Sequence, residues 1–225
     1  PSGELLLYSA GIESDDSVRM QIFADFSAWM SSSGKSAPAD EHHAQLQIVI
    51  DNAADTIESA NLWLRDSLAA IDWILAQAEQ PGTLLYEHVD ADKVGAFGMS
   101  FGGATAMSLT YASDVIKAAV NLDGLFYSTY WEQPLPKPTL LMNNDSNMGG
   151  FLRHPFLIAQ ADSYLALIET ATHGSFIDYT DILAENNITK IKIGDAEIDF
   201  PTLGSIDPDR METIMNSFLL WPLIS

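Results

Sequence analysis

The run Gly98-Met99-Ser100-Phe101-Gly102-Gly103 constrains this chain more than any other stretch. It closes the apolar segment Lys93 to Met99, which reads as a strand, and opens Ala104 to Tyr111, a small-residue segment that reads as a helix. A serine set among glycines at such a junction has a steric logic. The turn is sharp, and side chains two residues to either side would collide with the neighbouring strand or helix. The turn also presents the Ser100 hydroxyl at a helix N-terminus, whose free N–H groups favour developing negative charge. The pattern is that of a nucleophile elbow, with Ser100 the candidate nucleophile.

A serine hydroxyl becomes an effective nucleophile only beside a base that a third group orients. The elbow predicts the chain order serine, acid, histidine. Only His154 and His173 follow Ser100. His173 lies between a strand predicted over Tyr164 to Glu169 and a helix predicted over Phe176 to Leu183, a suitable loop for a base. His154 sits in Phe151-Leu152-Arg153-His154-Pro155, an apolar loop where packing or pocket lining is expected. Two acids qualify. Asp123 ends the strand Ile116 to Leu122, and Asp145 follows the strand Thr139 to Asn143. Both fall at the C-terminal edge of the expected sheet, where open α/β folds gather their ligand sites. Spacing alone does not separate them.

The rest of the chain supplies the expected frame. Glu4 to Ser9 reads as a buried strand, and Asp15 to Met30 as a helix carrying Val18, Ile22, Phe23, Phe26 and Trp29 on one face. Ser31 to Ala44 is loop-like in composition. Leu46 to Ile50 fits either a strand or the first turns of a helix. Ile57, Ala60, Leu64, Leu68, Ile71, Leu75 and Ala78 mark one face of a long helix ending before Pro81-Gly82. Arg210 to Leu220 is helical. Short apolar strands alternating with helices predict an α/β fold, a mostly parallel sheet covered on both faces. The expectation is one domain over residues 1–225.

Composition excludes several function classes. The 225 residues carry 31 acidic against 10 basic side chains, a net charge of −21. Nucleic-acid binding needs clustered Lys and Arg, and so does docking on an anionic membrane. No apolar run approaches the roughly 20 residues of a membrane span. With no cysteine, disulfides, thiolate metal sites and a cysteine nucleophile are ruled out, while the cellular compartment stays open. Glu41-His42-His43 reads as an acidic surface loop, since adjacent histidines do not share a helix face. No metal or cofactor is expected.

Three segments together resemble the platelet-activating factor acetylhydrolases of the plasma and intracellular type II group. They are the elbow Gly98 to Gly103, the strand end Asn121-Leu122-Asp123-Gly124, and His173-Gly174-Ser175-Phe176-Ile177-Asp178-Tyr179-Thr180. The tail Ile206-Asp207-Pro208-Asp209-Arg210 is similar to that family's close. The resemblance implies an α/β-hydrolase fold with Ser100 as nucleophile, Asp123 as acid and His173 as base, Asp145 being the alternative acid. It places oxyanion donors at the N–H groups of Phe101 and Ile12, although Ala10 stands where the family carries histidine. It implies that the opening strands of the fold precede residue 1, and that Leu46 to Ile50 or absent residues supply the strand missing after Gly34. The implied substrates are short-chain or truncated acyl esters, including the sn-2 ester of ether phospholipids, and no cofactor. Phe126, Tyr127, Trp131, Phe151, His154 and Phe156 follow strand ends and are expected near an acyl pocket. A broad carboxylesterase or polyester hydrolase, or a non-catalytic binding relative, is the competing expectation.

Overall fold

The computed structural model describes residues 39–145, 151–178, 182, 190–193, 196–199 and 205–220. The strand expected over Glu4 to Ser9, the helix over Asp15 to Met30 and Ile12 lie outside them. The described chain opens with helix α1 (Ala39–Asp51) and the long helix α2 (Ala54–Ala78). Helix α1 corrects the loop expected to run on to Ala44, and it decides for helix between the two readings left open for Leu46 to Ile50. Leu46, Val49 and Ile50 recur at helical spacing and are buried, whereas Ile48 is 56% exposed. A strand would have put Ile48 on the same face as Leu46 and Ile50. Helix α2 ends ahead of Pro81, and the Thr83 hydroxyl donates to the carbonyls of Gln77 and Gln80, satisfying acceptors that a helix end leaves open.

Four parallel strands follow: β1 (Val94–Met99), β2 (Ile116–Leu122), β3 (Thr139–Asn144) and β4 (Ser163–Ile168), hydrogen-bonded in the order β1-β2-β3-β4. Parallel neighbours need crossovers. Helix α3 (Phe101–Ala112) joins β1 to β2, and the short helix α4 (Arg153–Leu157) lies between β3 and β4. His154 therefore stands on a helix and not in a loop. The helix expected from Phe176 is also corrected. His173 to Phe176 form a single 3₁₀ turn, Ile177 is extended (φ −139°, ψ 164°), and Ile182 is helical. The Ser175 hydroxyl accepts the Thr172 N–H at 3.0 Å, and the Ser175 N–H donates to the Thr172 carbonyl, closing the turn early. A hairpin of β5 (Lys190–Ile193) and β6 (Ala196–Asp199) was not expected from the sequence. Helix α5 (Pro208–Leu220) ends the described chain.

The period-two alternation of the strands divides the apolar residues between the two faces of the sheet. Leu140 and Met142 join Val120 and Leu122 beneath Ile206, Met211 and the apolar side of α5. Leu141, between them in sequence, joins the opposite core with Met107 of α3, Leu46 and Val49 of α1, Phe126, Trp131 and Phe151. A third cluster, Leu64, Leu109 and Ile116, seats α2 on α3. With both faces covered, each chemistry-bearing side chain must emerge at a strand end.

Candidate active site

The site begins where β1 and β2 stop. The Ser100 N–H donates to the Leu122 carbonyl at 2.8 Å, and the Asp123 N–H to the Met142 carbonyl at 2.8 Å, so each residue continues the ladder by one position. Both then leave it with positive φ, +55° at Ser100 and +56° at Asp123. A non-glycine residue held there costs on the order of 1–3 kcal/mol, which the surroundings must offset. They do so by close packing. A Cβ on Gly98 would run into the backbone of Gly102, one on Gly103 into Asn121, and one on Gly124 into the Ser100 carbonyl. Contact therefore requires Gly98, Gly103 and Gly124, whereas a Cβ on Gly102 would meet nothing within 4 Å, which corrects the expectation of a collision on both sides of Ser100.

Asn121 ties the two turns together. Its side-chain oxygen accepts the Gly124 N–H at 2.7 Å, and its amide nitrogen donates to the Gly124 carbonyl at 2.8 Å and to the Met107 sulfur at 2.9 Å. All of this is fully buried, which rewards a complete set of partners.

Three residues far apart in sequence meet above these turns. His173 Nε2 lies 3.0 Å from Ser100 Oγ, and His173 Nδ1 lies 2.7 Å from Asp123 Oδ2. Asp123 is 0% exposed, while the His173 side chain is 36% exposed, so a dry carboxylate backs an imidazole that solutes can reach. Three further donors hold the carboxylate. Asn143 Nδ2 and the Asn144 N–H reach Oδ1 at 2.9 and 2.8 Å, and Asn144 Nδ2 reaches Oδ2 at 2.6 Å. An ionised carboxylate only accepts. Nδ1–H accordingly donates to Asp123, leaving Nε2 to accept the Ser100 hydroxyl. Asp145 is elsewhere: its Oδ1 accepts the Thr170 N–H at 2.9 Å, in the turn that follows β4.

Phe101 begins α3, and Trp63 of α2 meets its ring edge-on at 5.1 Å. The α3 amides of Gly103 and Ala104 bond back to the Ser100 carbonyl. Of the residues expected near an acyl pocket, Phe126, Trp131 and Phe151 are core residues, at 0%, 3% and 2% exposure. Burial pushes the Tyr127 phenol up to about 12. His154 stacks on His43, and its removal from water, with His43 beside it, lowers its pKa against a smaller upward pull from Glu132. Sequence reasoning assigned no role to Asn121, Asn143 and Asn144. Their signal was present, since asparagines inside otherwise apolar strands are out of place unless something there needs their hydrogen bonds.

No protein-family profile and no curated protein matches the sequence. Solved structures do match. A ferulic acid esterase from Streptomyces cinnamoneus superposes with a TM-score of 0.59 at 20% identity, over 73% of this chain and 48% of that one. This chain thus spans about half the length of that esterase. A dienelactone hydrolase from Anabaena variabilis matches with a TM-score of 0.41 at 19% identity, over 69% of this chain and 70% of that one. A dienelactone hydrolase-like promiscuous phosphotriesterase from metagenomic libraries matches with a TM-score of 0.41 at 20% identity, over 80% and 67%. The parallel sheet, its covering helices and the first of these likenesses give the class: the chain has the α/β-hydrolase fold.

Proposed function

We propose that the chain is a serine esterase in which Ser100 is the nucleophile, His173 the base and Asp123 the acid. The observation that carries this reading is the continuous relay from Ser100 Oγ through His173 to Asp123, at 3.0 and 2.7 Å. In the first step Ser100 Oγ attacks the ester carbonyl carbon as its proton passes to His173 Nε2. The resulting oxyanion is met by the N–H of Phe101, at the start of α3; the second donor that the sequence resemblance assigns, the Ile12 N–H, lies outside the described residues. Losing one such donor typically costs about 3–4 kcal/mol of transition-state stabilisation. His173 then protonates the departing alcohol, and the acyl group stays on Ser100. Water, deprotonated by the same nitrogen, attacks the acyl-enzyme and releases the acid. Asp123 holds the imidazole in the required tautomer and stabilises the imidazolium. Engagement of Asp145 with Thr170 supports Asp123 as the acid.

The substrates we assign are short-chain or truncated acyl esters, with the sn-2 ester of platelet-activating-factor-like phospholipids among them. This part rests on the three-segment resemblance in the sequence. A p-nitrophenyl ester series from acetate to dodecanoate, run beside a truncated phospholipid, tests it. Preference for the shortest chains with turnover of the phospholipid is expected. A long-chain optimum would overturn the substrate class, whereas absence of organophosphate labelling at Ser100 would overturn the esterase itself.

A further inference from the structure

We propose that His43, Glu132 and His154 form a binding site for a divalent transition metal of the zinc class. The three come from separate parts of the fold: α1 brings His43, the segment between β2 and β3 brings Glu132, and α4 brings His154. None belongs to the relay of Ser100, His173 and Asp123. One donor atom from each lies within 4.8 Å of the other two. The two carboxylate oxygens divide between the rings, Oε1 at 3.5 Å from His43 Nε2 and Oε2 at 3.6 Å from His154 Nε2.

Three observations favour a metal over simple packing. First, His154 Nε2, the nitrogen that faces Glu132, is buried and has no hydrogen-bond partner. Buried polar nitrogens are rarely left so, and a Lewis acid satisfies an imidazole lone pair as well as a proton donor does. Second, the spacing is near that of a coordination shell. Ligands about 2.0–2.2 Å from a tetrahedral zinc stand roughly 3.3–3.5 Å apart. Both nitrogen-to-carboxylate separations are already close to that, and coordination would turn the stacked rings so that both in-plane lone pairs face the ion. Third, the two rings share a common backing. They stack at 3.8 Å, and Trp131 packs against both, with its Nε1–H held at 2.8 Å by Gln47 Oε1, one turn along α1 from His43.

Two imidazoles and one carboxylate suit Zn²⁺, Co²⁺, Ni²⁺ or Cu²⁺ and not the oxygen-seeking Mg²⁺ or Ca²⁺. Three protein ligands leave a position for water. The Glu132 side chain is half exposed, giving the ion a way in. The bound ion would fasten α1 and α4 to the segment before β3. Helix α4 is itself tied to the candidate active site, because the Leu152 N–H donates to Asn143 Oδ1 at 3.2 Å.

The test is a Co²⁺ titration of the chelator-stripped full chain, followed by visible absorption and thermal unfolding, with Zn²⁺ as competitor and Mg²⁺ as control. One equivalent of Co²⁺ should give ligand-field bands that Zn²⁺ abolishes and Mg²⁺ does not, with a rise in Tm. His43→Ala, His154→Gln and Glu132→Gln should each weaken binding by about tenfold or more. The exposed Glu132→Gln variant keeps the test decisive if either histidine variant fails to fold. No bands in the wild type, undiminished binding in Glu132→Gln, or binding lost on His173→Ala instead would each overturn the proposal.

Discussion

Asp123 Oδ2 stands 2.7 Å from His173 Nδ1, and the carboxylate that makes this contact has no exposure to water. A carboxylate kept dry and bonded on both oxygens can take only one orientation, so it dictates where the imidazole points. Asp123→Asn should preserve the fold and lower kcat for a short p-nitrophenyl ester by about 10⁴, through loss of the required tautomer. Asp145→Asn should leave kcat within a few-fold and instead cost about 1 kcal/mol of stability, by weakening the bond to the Thr170 N–H. Steady-state kinetics and urea unfolding on the two variants separate the acids.

Asn121 anchors both turns of the site from within β2. Asn121→Ala leaves the buried Gly124 N–H without its acceptor and opens space beside Met107. A loss of about 1–3 kcal/mol in unfolding free energy is expected, with a fall in kcat. Urea melts and activity on the same samples check it. Unchanged stability would mean that the amide bonds contribute nothing net.

Gly124 packs against the Ser100 carbonyl. In Gly124→Ala the new Cβ would press on the Ser100 carbonyl, so the elbow must shift to accommodate it. Overpacking of this kind costs about 1–3 kcal/mol. The expected signature is slower organophosphate labelling of Ser100, with kcat reduced more than KM is changed.

Tyr127 gives an alkaline prediction whose sign follows from linkage. Burial raises its phenol from 10.0 to about 12, so the unfolded chain loses that proton first. The stabilising contribution is complete below pH 10 and is lost as pH rises from there through about 12. Tyr127→Phe should therefore flatten the alkaline limb of the stability curve. Urea midpoints at about pH 9 and 11 measure the difference.

The relay of Ser100, His173 and Asp123 was legible in the sequence because its parts carry local signatures. Ser100 is marked by glycines that the turn geometry demands, and His173 is one of only two histidines after it. Asp123 and Asp145 were indistinguishable by spacing, since both end strands at the same edge. Their separation depends on which carboxylate reaches His173, a three-dimensional fact. The α3 segment and the sheet strands read correctly because continuous apolar runs beside small-residue helices have few alternatives. Leu46 to Ile50 stayed open between strand and helix, as five residues are too few for periodicity to distinguish burial of 46, 49 and 50 from burial of 46, 48 and 50. His43 and His154 were read as unrelated surface and loop residues. Nothing local signals that α1 and α4 stack two imidazoles against one indole.

Strand β3 hands Leu140 and Met142 to one core, Leu141 to the other, and Asn143 with Asn144 to the carboxylate of Asp123. A slip by one residue would exchange the cores and withdraw every asparagine donor in the same motion. Misthreaded copies would thus be both unstable and without the contacts that hold Asp123, so any route that rescues stability must first restore the alignment that the relay needs. In this strand, quality control of folding and quality control of the Ser100–His173–Asp123 relay are a single event.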